Sequence, residues 1–122
     1  MSKLVLLVDD SVTSLLRIRA FFGNQKDYQV ISACDGKDGV EKALENLPDL
    51  ILMDVEMPRM NGIEACRALR SNKATMRTPI ILLTMRGEDA AVKAGFDSGC
   101  NEYMVKPMNE EKLLDVLKKY LR

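Results

Sequence analysis

Residues that could bind a metal ion or a phosphoryl group follow four separate apolar runs of this chain. Asp9 and Asp10 come directly after LVLLV, and Asp54 comes after LILM. Thr84 follows IILL, and Lys106 follows YMV. Carboxylates are the ligands that a hard cation such as Mg²⁺ prefers, while a hydroxyl and an ammonium can contact phosphoryl oxygens. The residue types therefore indicate a divalent-metal and phosphoryl site.

The apolar runs are the elements that must position these side chains. A run of four or five apolar residues bounded by polar ones is typical of a buried strand that is covered on both faces. Ligands of open α/β sheets bind outside the carboxyl ends of the strands, where the strand order reverses. We therefore expect the acids, the hydroxyl and the amine to meet at one edge of a sheet.

Strands and helices are predicted to alternate along the whole chain. The first strand is expected to end near residue 8, and the other four are expected to cover about 29–33, 50–53, 80–83 and 102–105. The first helix is expected at about 11–22, and the second between its cap Asp35 and Pro48. The third is expected to begin at a capping box formed by Asn61 and Glu64. The fourth is expected at about 88–94, and the fifth after Asn109. This (βα)5 alternation predicts one doubly wound α/β domain over residues 1–122, with a parallel sheet and helices on both faces.

Each helix is expected to pack through a stripe of small or apolar residues. In chain order these are Val12, Leu15, Ile18 and Phe22; Val40, Ala43, Leu44 and Leu47; Ala65, Cys66 and Leu69; Ala90, Ala91 and Ala94; and Leu113, Val116, Leu117, Tyr120 and Leu121. The fourth stripe is the weakest, and Gly95 and Gly99 are expected to loosen the end of that helix. An element with so little to bury is expected to move easily.

Composition narrows the function. The chain has 122 residues, 18 basic and 18 acidic residues, and no histidine. The absence of histidine excludes Ser-His-Asp and Cys-His catalysis and imidazole metal sites. The balanced charge argues against direct nucleic-acid binding, and no apolar run is long enough to span a membrane. The three cysteines are expected to be reduced thiols packed as small hydrophobic groups, and the protein is expected to be cytoplasmic.

The three carboxylates would repel one another in a cleft, and a divalent cation would relieve that repulsion. With the metal and Lys106 neutralising charge, one carboxylate could attack phosphorus. Each residue alone has an ordinary explanation, such as a helix cap, a turn residue or a solvated charge. Their placement together after four predicted strands favours a functional site.

With these residues, the sequence resembles a response regulator receiver domain of two-component signalling over essentially its whole length. The matching pieces are VDDS at 8–11, MDVEMPRMNG at 53–62, LLT at 82–84 and YMVKP at 103–107. The resemblance implies a flavodoxin-like fold with strand order 2-1-3-4-5. It also implies a phosphorylated signalling switch rather than an enzyme that turns over a metabolite.

The resemblance assigns a role to each residue of the site. Asp54 would accept a phosphoryl group from a phosphohistidine of a sensor kinase or phosphotransfer protein. Asp10 and Asp54 would bind Mg²⁺ with the backbone carbonyl of Glu56, and Asp9 would help through water. Lys106 would contact the phosphoryl group, with a cis peptide before Pro107, while Met57, Pro58 and Gly62 would shape the site loop. Thr84 would move toward the phosphate and Tyr103 would turn inward, which would change the helix 4, strand 5 and helix 5 face for a downstream protein.

Three residues at the rim depart from the family pattern or are predicted to modify it. Met85 stands where the family usually has a small residue, and we expect it to shield the site in part. Glu56 and Arg86 are expected to pair across the mouth of the site. Glu56→Ala or Arg86→Ala is then expected to change the dephosphorylation rate.

Two other functions are less well supported by the residues. A phosphohydrolase with an aspartyl nucleophile would begin with DxDx[TV]. The stretch from Asp9 to Thr13 has Ser11 at the third position of that motif, where an aspartate is needed. A flavin carrier would need a phosphate-binding loop and aromatic cover, which DDSVTS and 5% aromatic residues do not supply. The start at Met1 and the end in the fifth helix are expected to mark a single-domain regulator rather than a receiver cut from a longer protein.

Overall fold

The computed structural model describes residues 2–23, 26–85, 89–106 and 109–121, without the side chains of 89–91. Five strands alternate with five helices. The strands are β1 (Lys3–Val8), β2 (Tyr28–Ala33), β3 (Leu50–Asp54), β4 (Ile80–Thr84) and β5 (Glu102–Val105). The helices are α1 (Val12–Gly23), α2 (Gly36–Asn46), α3 (Gly62–Arg70), α4 (Asp89–Asp97) and α5 (Glu110–Tyr120).

All strands are parallel and lie in the order β2-β1-β3-β4-β5, which confirms the predicted doubly wound, flavodoxin-like fold. The strand order reverses between β1 and β3, because β2 lies on one side of β1 and the three later strands lie on the other side. Ligands of such sheets bind at this reversal. The residues that follow β1 and β3 therefore occupy the place where a site is expected.

The sheet is covered on both faces because successive side chains of each strand point to opposite sides. One core joins Val5, Leu7, Leu52 and other strand residues to α1 and α5. The opposite core joins Leu6, Val8 and further strand residues to α2 and α3. The strands β3 and β4 are buried along their whole lengths, which explains why their sequences are continuous apolar runs.

Three helix starts are fixed by side-chain caps. The Asp35 carboxylate accepts from the Asp38 amide at 2.8 Å. Asn61 and Glu64 form the predicted capping box, with bonds of 2.9 and 3.1 Å. The Asn109 side chain accepts from the backbone of the first turn of α5. These contacts confirm the predicted starts, because each cap satisfies an amide that the first helical turn leaves without a partner.

Two predicted packing stripes are partly wrong. Val12 is 70% exposed because it lies about a quarter-turn from the stripe formed by Ile18 and Phe22. On α2, Leu44 and Leu47 are exposed, and the buried face consists of Gly36, Gly39 and Ala43. Small residues occupy this face because α2 lies very close to the sheet and to the loop after β3. Leu47 also lies outside the helix, in a left-handed cap with φ 48°.

The fourth helix differs from its prediction. It extends to Asp97, so Gly95 lies inside it rather than ending it. A side chain at Gly95 would collide with the Tyr103 ring, which explains why this position carries none. The side chains of Ala90 and Ala91 fall outside the described residues, and Ala94 is only half-buried. The left-handed residue after this helix is Gly99, with φ 103°.

The cysteine prediction holds for two of the three thiols. All three are free, and Cys66 and Cys100 are buried in the core. Cys34 is exposed, because it lies in the turn between β2 and the cap of α2. Within the described part of the chain, no helix has the length and apolarity needed to cross a membrane.

Gly36 and Gly23 form a matched pair for a stability test. A methyl group at Gly36 would overlap the backbone carbonyl of Met60, whereas nothing lies within 4 Å of one at Gly23. We expect Gly36→Ala to lower the free energy of unfolding by about 2–3 kcal/mol, because the clash is with backbone. Gly23→Ala should leave it unchanged or raise it by roughly 0.5–1 kcal/mol. Urea denaturation of both variants measures this, and equal stabilities would contradict the close approach.

Candidate functional site

The strand register brings four of the predicted site residues to one edge of the sheet. Val8 pairs with Met53, so Asp9 and Asp54 follow level positions on the neighbouring strands β1 and β3. Asp54 pairs with Leu83, and Thr84 comes one residue later. Thr84 pairs with Val105, which places Lys106 just beyond. The structure therefore brings Asp9, Asp54, Thr84 and Lys106 together as the sequence predicts.

The Lys106 ammonium lies between two carboxylates. Its Nζ is 2.7 Å from Asp9 Oδ2 and 3.4 Å from Asp54 Oδ2. Asp9 and Asp54 are 2% and 5% exposed, so both acids are held away from water. The other oxygen of Asp9 accepts from the Ser11 amide at 2.9 Å. Buried charges need such partners, because an isolated carboxylate loses much of its hydration free energy inside a protein.

The surroundings shift two pKa values in the same direction. Burial, then the negative charge of Asp9 and the neighbouring Glu56, raise the pKa of Asp54 from 3.8 to about 7, against the opposing effect of Lys106. For Lys106, burial acts to lower the pKa, but the hydrogen bond to Asp9 and the charge of Asp54 outweigh it, so the pKa is raised. A carboxyl group with a raised pKa in a cleft is typical of a functional site.

The acids form a group that could hold a metal ion. Carboxylate oxygens of Asp9, Asp10 and Asp54 all lie within 4.8 Å of one another. Asp10 is exposed and lines the cavity together with the buried Asp54, while Asp9 is buried beside them. An all-oxygen donor set open to water on one side suits Mg²⁺, which keeps several of its waters. The residues therefore fit the predicted cofactor.

The Glu56 side chain has one partner among the described residues for which the structure gives a distance, Thr84. Thr84 donates its hydroxyl hydrogen bond to Glu56 Oε1 at 2.6 Å. Arg86, the expected partner, lies outside the described residues, so the prediction of an ion pair is not tested. Thr84 is fully buried and Glu56 is exposed. The contact arises because Glu56 is two residues beyond Asp54 in the chain, and Thr84 is one residue beyond Leu83, which pairs with Asp54 across the two strands.

A cavity of about 430 Å³ opens above the acids. Met85 lines this cavity and is 76% exposed, so its side chain lies at the rim. The other lining residues are Asp10, Ser11, Ser14, Asp54, Glu56 and Lys106. The volume is sufficient for a hydrated cation and a phosphoryl group. Shielding by Met85 stays a prediction.

Sequence reasoning missed the anchor of the loop after β3. Arg59 donates to Asp35 through Nε at 3.0 Å and through Nη2. Arg59 has φ 65°, a backbone conformation that side chains disfavour. The Gly36 amide also donates to the Met60 carbonyl at 3.1 Å. The sequence indicated only that Asp35 caps a helix, and this pattern does not predict that Arg59 is the cation that pairs with it.

Two residues predicted for loop shape and switching have clear neighbours. The Gly62 amide donates to the Val55 carbonyl at 2.9 Å, and a side chain at Gly62 would overlap the Asp54 carbonyl. Tyr103 is half-buried against Gly95, and its ring centroid is 6.5 Å from that of Phe96. Gly62 therefore closes the loop onto the strand that carries Asp54, while Tyr103 joins β5 to α4.

A doubly wound sheet with three acids and a lysine at its carboxyl edge defines the class of flavodoxin-like domains with an acidic site. The sequence model of one protein family, the response regulator receiver domain, matches residues 5–118 of this chain. The chain belongs to that family, which confirms the resemblance, and is therefore a receiver domain of two-component signalling.

The similar curated proteins include the response regulator ArlR, the transcriptional regulatory protein ResD and the protein PilH, and they differ in length. ArlR of Staphylococcus saprophyticus is 38% identical over 122 residues, which is 100% of this chain and 53% of that protein. ResD of Bacillus subtilis is 38% identical over 118 residues, covering 97% of this chain and 48% of that protein. The chain spans about half the length of these two relatives. PilH of Pseudomonas aeruginosa is 35% identical over 113 residues, which is 93% of each chain.

Solved structures share the fold over almost the whole chain. The chemotaxis protein CheY4 of Vibrio cholerae superposes with a TM-score of 0.91 at 33% identity, covering 99% of this chain and 100% of that one. The receiver domain of a Pseudomonas aeruginosa sensor histidine kinase gives a TM-score of 0.90 at 29% identity, covering 98% of each. That structure is described as having magnesium coordinated in its active-site cleft.

The raised pKa of Asp54 predicts a pH-dependent stability. Between pH 4 and 7, Asp54 keeps a proton in the folded protein that it has released in the unfolded chain. The contribution of Asp54 to the free energy of unfolding therefore falls as pH rises, and the loss of stability is complete above pH 7. We expect Asp54→Asn to stabilise the metal-free protein by about 1–2 kcal/mol at pH 8, after allowing for partial solvent screening, and by little at pH 4.

Thermal unfolding across pH 4–8 in a chelator measures this effect. Asp115→Asn, at an exposed position on α5, is the matched control and should follow the wild-type profile. A difference between Asp54→Asn and wild type that does not grow with pH would contradict the raised pKa of Asp54.

Proposed function

We propose that Asp54 is the phosphoacceptor of a signalling switch and takes its phosphoryl group from a phosphohistidine of a sensor kinase or phosphotransfer protein. A carboxylate oxygen of Asp54 forms a bond to phosphorus, and the bond from phosphorus to the imidazole nitrogen breaks. The imidazole then takes up a proton. The single observation that carries this proposal is the placement of Asp54, buried beside the Lys106 ammonium and beside two further acids.

Mg²⁺ would be held by Asp10 and Asp54, with the Glu56 carbonyl as a further ligand and Asp9 acting through water. When bound, this cation would neutralise charge on the phosphoryl oxygens and on the acids. The oxygen-only donor set and the separation of the acids support this assignment. Asp9 would meanwhile keep Lys106 in place through their 2.7 Å ion pair.

Lys106 and Thr84 would bind the phosphoryl group from the β4 and β5 side of the site. The ammonium already lies 3.4 Å from an Asp54 oxygen, so it is positioned to contact a group attached there. The Lys106 amide donates to the Thr84 carbonyl at 2.7 Å, which fixes the two residues relative to each other. Met57, Pro58 and Gly62 would shape the loop over the metal, and Met85 and Arg86 would modify access at the rim.

The output of the switch would be a changed surface on α4, β5 and α5. Thr84 would move toward the phosphoryl group, and Tyr103 would turn inward from its half-buried position beside Gly95. A downstream protein would then bind this surface. The relative ArlR is named as a response regulator, which supports a signalling function. The function proposed here includes self-phosphorylation and self-dephosphorylation but no metabolite turnover. Direct binding to nucleic acid or a membrane forms no part of it, and the location is proposed to be cytoplasmic.

Acetyl phosphate tests the acceptor directly. With Mg²⁺ present, we expect intact-mass measurement to show one phosphate adduct that hydroxylamine removes and that Asp54→Asn abolishes. Lys106→Ala should reduce the amount of adduct by at least about tenfold, because the developing charge loses its only nearby ammonium among the described residues. Lys42→Ala, on α2 and remote from the acids, is the matched control. An adduct that persists in Asp54→Asn would overturn the assignment.

Tyr103 reports the switch. We expect addition of Mg²⁺ and beryllofluoride, a mimic of the phosphoryl group, to shift the NMR signals of Tyr103, because its ring leaves a half-buried position beside Gly95. Tyr28, which packs edge-on against Phe22 at the far side of the sheet, serves as the internal control. Equal shifts for both rings, or none for Tyr103, would contradict the proposed output surface.

A further inference from the structure

The contact between Glu56 and Thr84 gives the site a feature that the roles above do not use. Thr84 Oγ1 donates to Glu56 Oε1 at 2.6 Å, a distance typical of a strong hydrogen bond to a carboxylate. Glu56 is exposed at the mouth of the cavity, whereas Thr84 is completely buried at the end of β4. The exposed side chain therefore reaches inward to the hydroxyl that the phosphoryl group is expected to bind.

The two acceptors cannot use this hydroxyl at the same time. A threonine hydroxyl has a single proton to donate. A phosphoryl group on Asp54 brings roughly two negative charges, and Glu56 lines the same cavity as Asp54. Both the limited donor and the repulsion between like charges require the Glu56 carboxylate to leave when the phosphoryl group binds Thr84.

We propose that Glu56 is a positioning residue that holds the Thr84 hydroxyl in the unphosphorylated domain, so that its release opposes phosphoryl binding and sets the threshold of the switch. This inference rests on the proposed function of Asp54 and adds a mechanism to it. Glu56 acts through Thr84 and not only as a negative charge at the rim. The side chain of Glu56 performs this role by accepting from Thr84. Its backbone carbonyl, proposed as a metal ligand, takes no part in it.

Beryllofluoride affinity in saturating Mg²⁺, measured by calorimetry, tests the proposal in a double-mutant design. Glu56→Ala should bind the mimic about five- to tenfold more tightly than wild type, because no hydrogen bond must first be broken. Glu56→Gln should fall between them, because its amide oxygen can still accept from Thr84 but without charge. Glu41→Ala, at an exposed position on α2, is the control and should match wild type.

The Thr84 background separates the two ways in which Glu56 could act. In Thr84→Val, the gain from Glu56→Ala should shrink to about twofold, because no hydroxyl remains to be held and only the removal of a negative charge is left. Thr84→Ser keeps the hydroxyl and should restore the full effect of Glu56→Ala. The methyl NMR signal of Thr84 should also shift in Glu56→Ala before any mimic is added.

Three outcomes would overturn this inference. An equal gain in the Thr84 and Thr84→Val backgrounds would show that Glu56 acts by charge alone. No gain in either background would show that the hydrogen bond does not oppose binding. Failure of the wild-type protein to bind beryllofluoride, together with the absence of an acetyl phosphate adduct, would overturn the proposed function itself and this inference with it.

Discussion

The ammonium of Lys106 between Asp9 and Asp54 is the interaction on which the site depends. Two nearly fully buried carboxylates on adjacent strands repel each other, and no histidine exists in the chain to share a proton with them. Without a cation in contact with both, at least one acid would take up a proton and lose its charge. Burial raises the pKa of Asp54 to about 7 even with the lysine present. The site is thus held close to its limit of negative charge, which is the condition in which a divalent cation binds strongly.

The strand register follows from the same requirement. Lys106 is 97 residues from Asp9 in the chain, and the two meet only because β1, β3, β4 and β5 end level with one another. The fully buried strands β3 and β4 make this register strict, since a slip of one residue would exchange the two faces of each strand. Accurate positioning of the charges is therefore a product of the apolar core, although no apolar residue takes part in the chemistry.

The sequence allowed the strands, the helix caps and the main acids of the site to be predicted, because these depend on local patterns. It did not allow prediction of contacts that depend on how closely two elements approach. The α2 stripe was misassigned because Leu44 follows the helical period, whereas the approach of α2 to the sheet is set by Gly36 and Gly39. The Arg59 contact to Asp35 was missed for the same reason. It closes a turn with an unfavourable backbone angle, and no local pattern predicts which cation will reach a buried cap.

The two sides of the site differ in how firmly they are held. On the β1 and β3 side, the loop after Asp54 is fastened to α2 by Arg59 and the Gly36 amide, and it closes on itself at Gly62. On the β4 and β5 side, Thr84 and Lys106 share a backbone hydrogen bond, and Tyr103 lies against a glycine of α4. Lys106 joins these sides through its ion pairs with Asp9 and Asp54. Glu56 joins them a second time, since it belongs to the fastened loop and accepts from Thr84. Under the proposed function, a group bound at Asp54 that displaces the contact between Glu56 and Thr84 would leave the acid side in place and release the Thr84 side chain, which is the asymmetry that a switch requires.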